Sequence, residues 1–381
     1  MNPFQRLQEL ASQMYLEPAE DANCPKLEEA PGSLSGMISQ AALPNGNRVK
    51  LLKTLLTSAC ERDCYYCPFR AGRNYRRTTL KPEEMAKTFM ALHRGHAVEG
   101  LFLSSGIVAG GMRTQDKMID TAEILRNKLG YKGYLHLKIM PGAERDQVLR
   151  AMQLADRVSI NLEAPNLDRL SRLAPSKDFF DELLQPLRWV DEIRRTNPSN
   201  LGWNGRWPSS VTQFVVGAVG ESDLELLSTT EKLYRQLGLS RTYYSTFSPL
   251  EDTPLENLPP TDPKRGFRLY QASFLVRDYG FSVEDMPFEP TGNLPLQIDP
   301  KQAWAQTNLS GSPIEINNAS RSELLRIPGI GPKSATAILN ARYHGKLKNF
   351  DDLRRLGLNP TRAIAYILLD GRRPSQQLAL F

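Results

Sequence analysis

From Arg48 onward the chain alternates between short, dense apolar runs and longer stretches with an apolar residue at every third or fourth position. Short continuous apolar runs suit strands buried on both faces, and the longer period suits amphipathic helices. Strands are predicted over 49–57, 101–105, 134–140, 157–162, 211–216 and 241–247. Helices are predicted between and after them, over 82–95, 116–129, 144–154, 179–195, 222–237 and 267–279. Pro82 with two glutamates opens the first helix, and Gly130, Gly238 and Gly280 close three others. Six strand–helix units in series imply parallel strands and an α/β domain. In a parallel barrel, chemistry sits at the C-terminal ends of the strands.

The flanks lack this rhythm. Residues 1–47 form an N-terminal extension with one predicted helix (3–15) and a Pro31-Gly32-Ser33 turn signal. Residues 283–312 are rich in Pro, Gly and Asn and read as a linker packing on the barrel, because Phe288 and Trp304 are costly to expose. Helical signals return in 313–373. Ser320 to Glu323 spells a capping box, and Pro332 suits the first position of a helix. The segment Pro328-Gly329-Ile330-Gly331-Pro332-Lys333-Ser334 lies between two such helices. Its glycines let the backbone approach a phosphate, and the helix start offers free N–H groups to an anion. Ile330 is expected to be buried and Lys333 to add charge. This pattern resembles the helix-hairpin-helix DNA-binding motif. A weaker second copy is expected from a helix over 351–356, a turn at 357–359 and a helix over 360–369. Protein contacts are the alternative use of such a hairpin.

Charge changes the picture only here. The 381 residues carry a net charge of +6, and 313–373 holds 11 Lys and Arg against 5 Asp and Glu. The basic surplus of the whole chain therefore lies in this segment, the footprint of a polyanion partner. No apolar run approaches the ~18 residues of a membrane span, and no secretory signal is visible at the N-terminus. A cytoplasmic, nucleoid-associated location is expected, with no membrane partner.

Three of the four cysteines, Cys60, Cys64 and Cys67, crowd the end of the first strand in C-x₃-C-x₂-C spacing. Three soft ligands in one loop can hold an iron–sulfur cluster or a zinc ion. No fourth Cys or His follows nearby, so the cluster reading leaves one iron open to an outside ligand. The alternative is a zinc knuckle completed by Cys24 or a distant histidine.

With Tyr66 as the aromatic, the loop resembles the signature of radical S-adenosylmethionine (radical SAM) enzymes. The resemblance implies a partial (β/α)6 TIM-type barrel (48–282). It also implies a [4Fe–4S] cluster on Cys60, Cys64 and Cys67, and S-adenosyl-L-methionine (SAM) on the open iron. An external one-electron reductant of flavodoxin or ferredoxin type would drive SAM cleavage to a 5′-deoxyadenosyl radical. The remaining strand ends supply SAM-site candidates: Ser104, Ser105 and Gly106 (where the family usually has Gly-Gly-Glu), Lys138 for the carboxylate, Asn161 and Glu163 for the ribose, and Gly217 and Gly220 beside the adenine, with Tyr66 in the cluster loop. Cys24 is the one cysteine left as a candidate hydrogen-atom donor. Arg70, Arg73, Arg76 and Arg77 are read as a phosphate-contacting edge or a solvated loop.

The tail, 374–381, ends Gln377-Leu378-Ala379-Leu380-Phe381. It resembles the linear motif by which bacterial proteins bind the DNA sliding clamp, with Gln377, Leu378, Leu380 and Phe381 as contacts. A leucine and a phenylalanine flanked by polar residues suit a partner anchor. The fold expected is thus α/β, a partial (β/α)6 TIM-type barrel plus a small all-α helix-hairpin-helix domain (313–373). The whole resembles radical SAM proteins described as acting in DNA modification or repair. RNA modification, or a clamp-tethered DNA-binding iron–sulfur scaffold, are the alternatives.

Overall fold

The structure is a computed structural model and describes residues 1–14, 38–42 and 48–374. Cys24, Gln377, Leu378, Leu380 and Phe381 lie outside the described residues. The chain divides into two compact units: 1–221 with 232–266, and 222–231 with 267–381. Among the described residues, no helix is long and apolar enough to cross a membrane.

The first unit is built on a curled seven-stranded half-barrel sheet. It runs α1 (Pro3–Ser12), β1 (Ile38–Ala42), β2 (Arg48–Leu55), α2 (Pro82–Arg94), β3 (Gly100–Ser104), α3 (Gly111–Glu123), β4 (Tyr134–Lys138) and α4 (Arg145–Leu154). Then come β5 (Arg157–Ser159), α5 (Leu167–Leu173), α6 (Gln185–Thr196), β6 (Ser209–Val216), the start of α7 (Asp223–Leu237), and β7 (Arg241–Thr246). Strands β1 to β7 lie in sequence order. The six predicted strands, β2 to β7, are parallel to one another, and β1 adds an antiparallel edge with Ile38 opposite Leu52. The expected six-stranded count therefore falls one short. Strand β1 carries no usable period, since Ser39 and Gln40 interrupt its apolar positions.

Register explains which residues reach the barrel mouth. Leu55 pairs with Ser104 on β3, and Phe102, two residues earlier on the same face, pairs with His136 on β4. Lys138 then pairs with Ser159 on β5. Side chains alternate along a strand, so Leu55, Ser104 and Lys138 share one face and arrive together at the C-terminal end.

Two predicted helices open as wide π-turns, at Ile124–Lys128 after α3 and Phe179–Leu184 before α6. The first turn delivers Arg126 into the interior. Its guanidinium donates to the carbonyls of Leu154 (2.9 Å), Tyr131 (2.9 Å) and Gly133 (2.8 Å) and to Asp156 Oδ2 (3.0 Å). It also stacks 3.9 Å from the Trp203 ring centroid. Removing such a charge takes the buried cation from Asp156, which keeps only the Leu135 amide and the exposed Arg206, and a donor from three carbonyls, which costs more than the pair itself contributes.

The second unit contains part of α7, most of α8 (Pro263–Asp278), then α9 (Pro300–Asn308), β8 (Ile314–Glu315), α10 (Arg321–Arg326), α11 (Pro332–Arg342), α12 (Phe350–Arg355) and β9 (Ile367–Leu368). Helix α9 stands inside the stretch read as linker, and Ala305 is fully buried with Ile316, Leu324 and Ile338 in one core. The all-α expectation is corrected by β8 and β9, which pair in parallel. The second hairpin copy is also corrected. In place of a helix over 360–369 there are two 3₁₀ turns, Pro360–Arg362 and Ile364–Tyr366, then β9. The run Tyr366-Ile367-Leu368-Leu369 has too little polar surface for a surface helix, and Ile367 is fully buried.

Arg126→Met should lower the stability of the first unit by about 3–5 kcal/mol, read as a shift in the urea midpoint with an unchanged slope.

Candidate active site and nucleic-acid interface

The cluster loop starts where β2 ends. Its thiols, Cys60, Cys64 and Cys67, are unpaired and face one cavity. The same cavity is lined by Tyr66, Ser104, Ser105, Gly106, Lys138, Asn161 and Glu163. Seven of the nine residues predicted for the SAM site are thus brought together. Gly217 and Gly220 are not among the lining residues. They stand in a turn folded around the buried Glu221, whose carboxylate accepts from the Gly217 and Val219 amides. A Cβ on Gly217 would lie 1.9 Å from Thr261 Oγ1, so only glycine fits there.

The loop is fixed by the protein itself. Arg77 donates from Nη1 to the carbonyls of Ser58 (3.0 Å) and Phe69 (2.6 Å), and from Nη2 to those of Arg70 (2.7 Å) and Arg73 (3.3 Å). These four carbonyls bracket the three cysteines. Tyr75 completes the grip, its ring 4.4 Å from the Arg77 guanidinium and its hydroxyl donating to the Ser58 carbonyl at 2.9 Å. Arg77 is therefore a structural clasp, whereas the sequence offered it as a phosphate contact or a solvated charge. Its neighbour Arg73 donates to the carbonyls of Pro68 and Glu251. Arg76 is the exposed member, 3.5 Å from Glu9.

Other ties come from the ends of β3 and α5. The Gly106 amide donates to Thr57 O (2.7 Å), the Glu61 amide to Ile107 O (2.8 Å), and the Tyr65 amide to Leu173 O (2.8 Å). A Cβ on Gly106 would stand 2.1 Å from Ala59 O, so the Ser-Ser-Gly ending lets β3 press against the cluster loop. The Glu61 carboxylate accepts from the Ala109 and Gly110 amides at 2.9 and 3.0 Å.

Behind the cysteines lies a buried ion pair that sequence reading missed in part. Lys177 Nζ donates to Glu163 Oε1 at 3.0 Å, with side-chain exposures of 8% and 3%. Lys177 belongs to no predicted strand end, and only the fold brings it there. Burial works to raise the Glu163 carboxyl, but Lys177 and Lys138 outweigh it and hold it below the ordinary range. Burial works against the Lys177 charge, yet Cys64 and Glu163 outweigh it and keep the ammonium protonated. The second oxygen, Glu163 Oε2, is buried without a hydrogen-bond partner. Glu163 itself sits at φ +65°, a conformation uncommon outside glycine. Burial, then the Glu163 charge, push the neighbouring Tyr66 phenol well up.

This donor set suits an iron–sulfur cluster with a polar organic ligand. Three thiols supply soft ligands, and the unpartnered carboxylate oxygen can accept from a hydroxyl. Among the described residues, no three His, Cys, Asp or Glu side chains close to the spacing of a single metal ion.

Residues 54–229 match the model of the radical SAM superfamily. The barrel is a radical SAM domain. Enzymes of that superfamily use a [4Fe–4S] cluster and SAM, and these are the cofactors the domain implies. Residues 310–360 match the model of the helix-hairpin-helix motif.

Solved structures similar to this chain include a HydG, a maturase of the [FeFe]-hydrogenase (12% identity, TM-score 0.47), covering 60% of this chain and 49% of that one. HydG from Carboxydothermus hydrogenoformans matches at 14% identity and TM-score 0.47, over 60% of this chain and 51% of that one. The methylornithine synthase PylB matches at 16% identity and TM-score 0.47, over 61% of this chain and 63% of that one. The chain thus spans about half the length of the HydG structures. No curated protein matches the sequence.

In the helix-hairpin-helix unit, Ser320 caps α10 through the predicted capping box, accepting from the Glu323 amide. Gly329 takes φ +84° and is exposed, Ile330 is 2% exposed, and Lys333 points to solvent at the start of α11. Pro328 is buried and Ser334 half-buried. The first-turn amides of α11 have no intrahelical acceptor, and Lys333 beside them is exposed.

Arg77→Ala should leave far-UV circular dichroism intact but lower stability by about 2–4 kcal/mol. It should also reduce the iron and sulfide retained after anaerobic reconstitution by at least half. Retention equal to wild type would show that the loop needs no clasp.

Proposed function

We propose that this radical SAM enzyme acts on DNA, as nucleotide modification or lesion repair. The observation that carries the reading is the joining, in one chain, of a radical SAM domain to a helix-hairpin-helix motif, with the basic surplus of the chain in the segment 313–373 that holds most of the motif. A polynucleotide held by its backbone is the partner this combination suits.

In this reading Cys60, Cys64 and Cys67 hold the cluster, leaving an iron for SAM. When bound and reduced by an external one-electron donor, the pair supplies hydrogen-atom abstraction. The chain's own residues bind and orient. Lys138 offers a cation to the SAM carboxylate. Glu163 Oε2 and Asn161 accept from the ribose hydroxyls. Ser104, Ser105 and Gly106 present backbone groups to the SAM amino group, and Tyr66 covers the site beside Glu163. Gly217 and Gly220 shape the turn after β6, near the adenine. Gly329, Gly331, Lys333 and Ser334 form the DNA-backbone contact, on a hairpin held by the buried Pro328 and Ile330. A base or sugar inside a duplex is out of reach of such chemistry, so the substrate is single-stranded or flipped out. Cys24 is the candidate hydrogen donor. Gln377, Leu378, Leu380 and Phe381 anchor the enzyme to the sliding clamp, raising its local concentration on DNA.

The deciding assay is 5′-deoxyadenosine production by the anaerobically reconstituted enzyme with dithionite and SAM, in the presence of single-stranded or damaged DNA. Turnover stimulated by DNA and abolished in Cys60→Ala is expected. Stimulation by RNA alone would move the substrate to RNA. Failure of SAM binding with a full cluster would favour a structural cluster on a scaffold. Pull-down of the sliding clamp by the full chain, lost on removing Phe381, checks the tail.

A further inference from the structure

Behind the hairpin, within the helix-hairpin-helix unit, the structure forms an open cleft of about 290 Å³. One wall is Phe274 and Tyr279, at the end of α8 and just beyond it. The opposite wall is the hairpin backbone Gly329 to Gly331, and Asp299, Lys301 and Arg362 close the floor.

Lys301 is the feature that calls for explanation. It stands in the first turn of α9 and is only 9% exposed. Its ammonium donates to the Ile330 carbonyl at 2.6 Å and lies 4.6 Å from the Tyr279 ring centroid. Arg362, the other cation, is ion-paired with Asp299. Its side chain also backs the hairpin, since a Cβ on Gly329 would meet Arg362 Cβ at 3.3 Å. Two cations against one carboxylate leave the cleft floor positive. An apolar side chain would fill the Lys301 position without the cost of desolvating an ammonium.

We propose that this cleft is a nucleotide subsite: it receives one nucleotide of the bound strand, whose phosphate is drawn to the Lys301 ammonium. This rests on the nucleic-acid reading above and extends it to a residue outside the hairpin motif.

The position of Lys301 carries a measurable consequence. Burial pulls its proton affinity down to about 7, with Asp299 opposing and Arg362 adding to the fall. The titratable and charged groups lining the cleft around it are Asp299, Arg362 and Tyr279. The Tyr279 phenol is pushed up by burial and stays neutral at neutral pH. Above about pH 7 the free protein therefore sheds the Lys301 proton, and an entering phosphate restores it. Binding takes up a proton in that range, so affinity falls as pH rises.

The test is fluorescence anisotropy of a labelled single-stranded DNA oligonucleotide with the full chain, from about pH 6 to about pH 9. The wild-type protein should lose affinity by up to tenfold per pH unit above about pH 7. Lys301→Met should bind at least tenfold more weakly at the acid end and show no such slope. Lys301→Arg should keep the acid-end affinity and also lose the slope. Calorimetry of the wild-type protein in buffers of different ionisation enthalpy should register proton uptake, which keeps the test decisive even where a variant fails to fold. A wild-type profile without the slope, or variants indistinguishable from wild type, overturns the subsite and leaves the nucleic-acid reading standing. No binding of the oligonucleotide at any pH overturns both. Displacement by a free deoxynucleoside monophosphate at concentrations comparable to the oligonucleotide would overturn the polymer as occupant.

Discussion

A loop of three thiols cannot hold its own shape, and the first unit turns on the way this one is held. Four main-chain carbonyls on either side of the cysteines point at one guanidinium, Arg77. Left unpaired, these partly buried carbonyls would be destabilising. Their convergence makes the loop a small closed structure, with Tyr75 as a lid over the cation. The ends of β3 and α5 then locate this structure against the sheet through main-chain bonds. Cysteine position is thus set by backbone hydrogen bonding, upstream of any ligand chemistry.

The second constraint is the charge inside the cavity wall. Glu163 and Lys177 compensate each other where neither could be buried alone. The second oxygen of that carboxylate is buried without a hydrogen-bond partner, in a residue that lines the cavity. A strained φ at Glu163 is consistent with a residue placed for contact and not for packing. The pair joins the segment beyond β5 to the stretch after α5, so the floor of the site is built by parts of the chain that local pattern does not connect.

The pattern along the chain made the parallel core legible, because buried strands and amphipathic crossovers leave different periods. It made the cysteine loop and the capped hairpin legible too, because both are contiguous. What it missed has physical reasons. Strand β1 is short and interrupted by polar residues, and its place is set by pairing with β2. Helix α9 is hidden in a Pro- and Asn-rich stretch, but Asp299 caps it and Ala305 draws it into the core. Strand β9 looked like the end of a helix, because nothing local announces that Ile314 lies beside Ile367. Lys177 and Lys301 were invisible as site residues, since each acquires its surroundings only in three dimensions. Arg77 was visible as a charge, but its carbonyl partners were not.

That short β8–β9 pairing has a mechanical meaning. The two strands run parallel, with β8 entering the motif and β9 leaving it. Tension between the chain before β8 and the chain after β9 therefore pulls the pair lengthwise in shear, loading its bonds together and not one after another. The hairpin and its flanking helices lie in the loop of chain between the two strands, outside that line of force. A tether attached beyond Pro374 could thus be strained without prising open the surface offered to nucleic acid.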